Sequence, residues 1–433
     1  MSQPFLAKNK KTSNYLPYLM WFIPLIFFAY QFILRLWPGL LMQQIMTQFT
    51  IDASKFGIIA AFYYYGYASM QIPVALLLDR YGARVIVFLF ALLCSAATIL
   101  FTYSSHWYLA CLGRFMVGAG SAVGFLGVSK VISDWFPSSQ YTKMIALSFS
   151  IGLLGAIYGG KPVNVLIDKY QWQNVAVVLA MISLIIAMSA YCVLRLAPGK
   201  NKNRTNHESF TLYDFKKILS SPPLWLLALA NLLLVGSLEG FSDVWGVPFL
   251  MTAYSISKNN AAQLVSFVFF GMIFGGPLLA WCSRKLGHYS VIALCGLGMT
   301  TIFVILLFSH HVHWWLLACL FFSLGLMCCY QVIVFAAGAE LVPSHHLGVS
   351  IAFLNCINML GGSFFHTLIG RLMDTLWSGT LNPEGIKLYS LAAYQNALMI
   401  IPCGAILGTI MVCLLAVLSY RKQHQYYGKL NES

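Results

Sequence analysis

Between Lys285 and Glu340 the chain passes through 54 residues without one Asp, Glu, Lys or Arg, and between Lys387 and Arg421 through another 33. Roughly 20 apolar residues cross a bilayer as one helix, so both runs are long enough to span, the first of them twice. Read in windows of about 19 residues, the alternation of apolar stretches with short polar breaks predicts twelve helices, at 16–42, 54–78, 84–103, 107–133, 144–167, 173–196, 223–251, 262–282, 289–309, 313–341, 347–374 and 391–420. A soluble domain carries about a quarter charged residues, whereas this chain is 59% hydrophobic and 9% charged. The expected fold class is an all-α polytopic membrane protein.

The longest hydrophilic stretch, 197–222, divides the spans six and six. The predicted organisation is a tail at 1–15, a six-helix bundle at 16–196, a central loop at 197–222, a second bundle at 223–420 and a tail at 421–433. An even number of spans places both termini on one side. Of the 26 basic residues, 17 fall in segments on that side and four (Lys55, Lys169, Lys258 and Lys387) in loops on the other. By the positive-inside rule the tails and central loop are cytoplasmic. The net charge of +14 therefore marks orientation, and no nucleic-acid partner is expected. The start, MSQPFLAKNKKTSNY, reads as a cytoplasmic tail, since no short apolar core and cleavage site follow it. Ten of the eleven cysteines lie inside apolar stretches, where Cys behaves as a small hydrophobe, and no Cys/His ligand spacing occurs. Neither a metal, a disulfide framework nor a cofactor is expected.

Shifted by about 205 to 208 positions, the second half aligns Trp37 with Trp245, Gly82 with Gly287, Pro137 with Pro343, and Leu-Ile-Asp168 with Leu-Met-Asp374. Four matches in order imply two six-helix pseudo-repeats around a central cavity, an arrangement that places a transporter's binding site at the repeat interface. No nucleophile and base pair or phosphate loop stands out, and the polar segments are too short to fold as a domain. An enzyme is not expected.

At the end of the second helix the chain reads Ala75-Leu-Leu-Leu-Asp79-Arg80-Tyr81-Gly82-Ala83-Arg84. This resembles the G-x-x-x-D-R-x-G-R-R signature of the major facilitator superfamily, with Ala75 in place of its first glycine. Arg114-x-x-x-Gly118-x-x-x-Ala122 in the fourth helix is similar to that superfamily's second signature. Tyr67-Ala-Ser-Met-Gln-Ile-Pro73 and Ser133-Asp-Trp-Phe-Pro137 resemble the anion:cation symporter branch and its uncharacterised bacterial relatives, and more distantly the lysosomal dipeptide carriers. The G-x-x-x-G-P signature of drug/proton antiporters is not met, because Gly155-Ala-Ile-Tyr-Gly159 is followed by Gly160-Lys161-Pro162. The resemblance implies secondary transport by alternating access.

An ionisable group at bilayer depth costs about 2.5–3.5 kcal/mol on insertion scales, so each needs a partner or a wet cavity. Arg35 falls near mid-membrane in the first helix, and Glu239 and Asp243 at similar depth in the seventh, four residues apart and so on one face. The repeat makes Arg35 the counterpart of Asp243, and Gln31 that of Glu239. Two roles stand open: a tie between the halves, or contacts to opposite ends of a substrate. For the second, a zwitterion suits the pattern, guanidinium taking carboxylate and carboxylate taking ammonium. Further lining candidates are Tyr30, Tyr64, Tyr67, Gln71, Tyr158, Lys161, Tyr330, Gln331, Asn355 and Asn358. Glu239 and Asp243 are candidates for proton coupling, and Arg114 for a structural or coupling role.

Asp79, Arg80 and Arg84 facing Asp134, and Arg284 and Lys285 facing Glu340, form an expected cytoplasmic gate. Lys130 is expected to snorkel, and Arg371 and Asp374, three apart, to pair locally. The function these residues predict is secondary active import of a small zwitterion, an amino acid or short peptide, coupled to protons. The alternatives are an organic-anion symporter or a drug exporter. The partners are then substrate, H+ and lipid, for a chain acting as a monomer in a bacterial inner membrane.

Overall fold

The computed structural model describes residues 15–195, 220–309, 312–343 and 347–431, without the side chains of 347, 348 and 420–431. The expected tail at 1–15 and central loop at 197–222 lie almost wholly outside these residues. Eleven described helices are long and apolar enough to cross a membrane. One of them, Ala53–Tyr103, runs 51 residues and bends at Gly82, whose φ of 79° and ψ of 164° are not helical. It therefore makes two spans, and the total is twelve.

In chain order the spans are α1 (Leu16–Phe49), α2 (53–81), α3 (83–103), α4 (Trp107–Trp135), α5 (Ser138–Lys169), α6 (Trp172–Val193), α7 (Pro222–Tyr254), α8 (Lys258–Leu286), α9 (His288–Phe308), α10 (Trp314–Glu340), α11 (Leu347–Thr375) and α12 (Leu391–Ser419). The α1–α2, α7–α8 and α11–α12 connections lie at one end of the bundle, called distal below. The α2–α3, α4–α5 and α8–α9 connections lie at the other, proximal end.

The halves share backbone detail as well as helix number. Gly287, between α8 and α9, has φ 82° and ψ 157°, nearly the values of Gly82 between α2 and α3. A side chain is strained there, which explains why both repeats keep glycine. Asp52 caps the start of α2 by accepting from Lys55 N (3.0 Å), and Ser257 caps α8 by accepting from Asn260 N (3.3 Å).

Helix breaks recur too. α1 tightens into a 3-10 turn at Trp37–Leu41, where Pro38 removes a backbone donor. Its counterpart α7 passes through a 3-10 turn at Val235–Ser237 and a π-turn at Leu238–Trp245. α4 is interrupted at Ala122 and α10 at Cys329. Such interruptions in membrane helices are tolerated where buried neighbours satisfy the freed backbone groups. Trp37 and Trp245, both buried, flank the breaks, Trp37 against Phe101 and Trp172, and Trp245 edge-on to Phe56 of the other half.

Candidate functional site

The interrupted stretches of α1 and α7 meet at the centre of the bundle. A Cβ on Gly39 would meet the backbone of Asp243 and lie 2.9 Å from Val244 Cα, so only glycine lets the two chains approach this closely. Arg35, two residues before Trp37, is carried to that junction and is 8% exposed, while Glu239 and Asp243 on the π-turn are 1% and 3% exposed.

Arg35 joins both carboxylates. Its Nε donates to Asp243 Oδ2 at 2.5 Å, and its Nη2 lies 2.7 Å from Glu239 Oε2, off the hydrogen-bond axis. Asp243 is the more tightly held, since Tyr64 OH also donates to its Oδ2. One guanidinium of the first half thus serves two carboxyl groups of the second. Asp243 Oδ1 has no hydrogen-bond partner among the described residues. Asp243 also borders a cavity of about 20 Å³ among Leu36, Gly160 and Ser266, room for one water molecule.

Arg114 does not face the carboxylates. Its Nη1 donates to Leu34 O (2.8 Å) and its Nη2 to Arg35 O (3.4 Å), and its guanidinium lies 4.9 Å from the Tyr63 ring. It thus supplies donors to carbonyls freed where α1 leaves helical geometry, and holds the backbone that presents Arg35. Gln31 accepts from Tyr63 OH at 2.9 Å and so fixes that ring.

His366 of α11 belongs to the same cluster and was not among the expected residues. It is fully buried, its ring lies 5.3 Å from that of Tyr64, and neither ring nitrogen has a partner among the described residues. A search for ionisable groups at bilayer depth finds it only if histidine is counted with the charged residues. Asn231 of α7 was missed as well, with both side-chain polar atoms buried and unpartnered.

The other predicted lining residues separate into groups. Asn355 Nδ2 donates across the halves to Gln71 Oε1 at 3.3 Å. Asn358 is buried with both polar atoms unpartnered, as is Gln331 Nε2. Tyr330 OH donates to Asn231 O (3.2 Å), and half-buried Tyr67 packs on Tyr63 at 6.2 Å.

Three expectations are corrected. Tyr30 OH is engaged by Leu179 O (2.6 Å) inside the first bundle. Tyr158 is 60% exposed on a helical stripe with Leu147 and Leu154, away from the α5 glycines that pack on α1, so it lies on the bundle's perimeter. Lys161, at the break in α5, donates to Gln263 of α8 (2.9 Å) and stands in the distal seam between the halves.

At the proximal end Asp79 pairs with Lys130 at 2.7 Å, so Lys130 is an ion-pair partner and not merely a snorkelling cation. Arg84 Nε donates to Tyr191 O (2.8 Å), and Arg80 covers the Tyr81 ring. Glu340 takes His288 Nε2 at 3.2 Å, Lys285 lies on the Trp281 ring, and Arg284 is exposed. Asp134 is engaged as well. The expected Arg371–Asp374 pair is replaced: Asp374 accepts from Lys387, Tyr389 and Ser54 N. An open groove of about 990 Å³ on the distal surface, lined by Gln43, Gln48, Trp172 and Glu384 among others, contains none of the expected site residues.

Twelve spans in two six-helix pseudo-repeats, with ionisable groups joined across their interface, define a membrane transporter. The chain belongs to the Major Facilitator Superfamily, which it matches over residues 20–366. Among its relatives are an uncharacterised transporter, YybO, of Bacillus subtilis (strain 168), 23% identical over 78% of this chain and 83% of that one. The mouse lysosomal dipeptide transporter MFSD1 is 23% identical over 78% of this chain and 76% of its own length. A chloroplastic ascorbate transporter of Arabidopsis thaliana is 24% identical over 47% and 39%. Among solved structures, the fold is shared with the nucleoside transporter NupG (TM-score 0.75, 12% identity, 92% of this chain and 99% of that one). A bacterial homolog of the human lysosomal transporter Spinster, inward-facing and occupied, gives 0.71 at 15% identity over 95% and 98%.

Proposed function

We propose that this transporter carries a small zwitterion, an amino acid or short peptide, together with a proton, and that the Arg35–Glu239–Asp243 cluster is where both bind. The observation that carries the reading is one guanidinium from the first bundle shared by two buried carboxylates of the second. A substrate carboxylate competes for the guanidinium fork, which matches carboxylate geometry bidentately. Glu239, held off-axis by Arg35 while the Tyr64 hydroxyl donates to the Asp243 carboxylate, is then released first, and the substrate ammonium takes its place beside it. A zwitterion brings one carboxylate and one ammonium and leaves the site's balance unchanged; the proton is carried on the cluster carboxylate that neither Arg35 nor the ammonium pairs, in a site too buried to leave a charge unpaired. An anion lacking the amino group needs two protons for the same balance, and is disfavoured. The similarity to the dipeptide transporter MFSD1 supports this reading. The basic bias of the proximal segments supports a cytoplasmic location of that end, and the similarity to YybO of Bacillus subtilis supports a bacterial cytoplasmic membrane.

The test is binding of dialanine and of N-propionyl-alanine, which lacks only its amino group, to purified parent and Glu239→Gln proteins. A preference for dialanine that disappears in Glu239→Gln supports the assignment. Equal affinity of the parent for both ligands refutes it and favours the organic-anion reading, to which the similarity with the chloroplastic ascorbate transporter points.

A further inference from the structure

The distal seam is closed by contacts that use backbone donors at a helix start. At the beginning of α2 the N–H groups of Ala53, Ser54 and Lys55, which have no backbone partner inside the helix, are all taken. Phe56 N makes the first helical bond, to Asp52 O (3.0 Å), and Lys55 N donates to Asp52 Oδ1 (3.0 Å) within α2's own cap. The other two cross to the opposite half: Ala53 N donates to Tyr389 OH (2.9 Å) and Ser54 N to Asp374 Oδ2 (2.7 Å). Tyr389 OH in turn donates to Asp374 Oδ1 (2.6 Å), and Lys387 Nζ lies 3.0 Å from Asp374 and 3.7 Å from Asp52. A carboxylate is favoured at this position because the helix N-terminus carries partial positive charge.

The repeat places a related contact on the other side of the seam. Asp168 ends α5 as Asp374 ends α11, and Asn259 is the second residue of α8 as Ser54 is of α2. Asp168 Oδ2 accepts from Asn259 Nδ2 at 3.0 Å and from Asn164 Nδ2 at 3.0 Å. In each half, then, the last acidic residue of the fifth helix holds the first turn of the second helix of the opposite half.

We propose that Asp374 and Asp168 are gating residues of the distal side: each holds the facing helix start while that side is closed and releases it when the halves rock open. Asp374, which reaches the backbone directly and recruits Tyr389 and Lys387, is the stronger of the two. The inference goes beyond the substrate reading and does not depend on it.

Hydrogen–deuterium exchange of the full chain in lipid nanodiscs, without substrate, tests it in Asp374→Ala and Tyr389→Phe. Exchange over 52–58 should rise roughly tenfold in Asp374→Ala, the scale of one lost charge-assisted hydrogen bond, and less in Tyr389→Phe. Exchange over the proximal segment 133–143 should fall in the same samples, because opening one end of a rocking pair closes the other. Unchanged exchange at 52–58 in both variants overturns the proposal. So does a rise there without the proximal fall, which is fraying, or a rise at both ends, which is lost folding. If Asp374→Ala does not fold, Tyr389→Phe carries the same decision.

Discussion

Removing the charge of Arg35 while keeping its apolar stem tests whether the central ion cluster is one energetic unit. In Arg35→Met, Glu239 and Asp243, 1% and 3% exposed, lose the cation they share. Leaving a buried charge without its partner costs about 3–5 kcal/mol, whereas replacing a whole buried cluster by neutral groups is often close to free. At about 2–4 °C per kcal/mol for a unit the size of one bundle, the expected fall in unfolding temperature is roughly 6–20 °C. Adding Glu239→Gln and Asp243→Asn to Arg35→Met should recover most of it. The deficit of the single variant should also shrink as pH falls, since protonating the stranded carboxylates removes the unpaired charge. Thermal unfolding of the three proteins by intrinsic tryptophan fluorescence, from pH 5 to pH 8, provides the measurement. An Arg35→Met protein that unfolds within about 2 °C of the parent, or a neutral triple variant no more stable than the single one, refutes the reasoning, because the cluster would then contribute nothing as a unit.

Arg35→Lys keeps the charge but offers one ammonium where the fork makes two contacts, so dialanine affinity should drop about 10- to 100-fold with little change in unfolding temperature, read by titration calorimetry. Gly82→Ala places a side chain at φ 79°, and should cost about 1–3 kcal/mol in unfolding experiments. Lys130→Ala, which breaks a proximal pair whose side chains are 25% and 59% exposed, should cost less than about 1 kcal/mol. Burial and the Asp374 carboxylate raise the Tyr389 phenol above its ordinary value. Its contribution to the closed distal seam is therefore complete at neutral pH and lost only as strong alkali ionises it. Exchange at 52–58, corrected for the intrinsic rate, should thus hold steady from pH 6 to pH 9 in parent and Tyr389→Phe alike.

The twelve spans were legible because hydropathy in a bilayer leaves little choice: each segment either buries its backbone in a helix or lies outside. Helix ends were less so. Pro38-Gly39 suggests a stop soon after, yet a 3-10 turn carries α1 on to Phe49, and the polar Ser138–Lys143 stretch that reads as loop is already helical. Arg35, Glu239 and Asp243 announced themselves as charges in apolar surroundings. His366 did not, because a neutral imidazole fits a hydropathy profile without a visible interruption. The partner of Asp374 was misjudged for a different reason: spacing along one helix favours Arg371, but a connection and a distant helix start supply three closer donors, and only tertiary structure brings them there. Polarity inside a span also proved a poor guide to direction, as Tyr158 on the perimeter and Lys161 in the seam show.

On the proposed reading, the placement of the charges ties opening of the carrier to its substrate. Arg35 stands on one half and its two carboxylates on the other, so any rocking that separates α1 from α7 pulls opposite charges apart in a medium of low dielectric. On the proposed reading an empty carrier meets that cost in full, about 3–5 kcal/mol by the same argument as for Arg35→Met. A substrate that gives Arg35 a carboxylate and Glu239 an ammonium replaces the lost contacts on both halves, and only a ligand that interacts differently with the two states can shift their balance. The distal contacts of Asp374 and Asp168 act in series with this central tie. Opening without substrate must break both sets, whereas opening with substrate bound must break only the distal set. Asp374→Ala combined with Arg35→Met should therefore raise exchange at 52–58 by about the product of the single effects, while an Arg35→Met substitution that leaves exchange there unchanged, alone or in the Asp374→Ala background, would show that the distal side opens without breaking the centre.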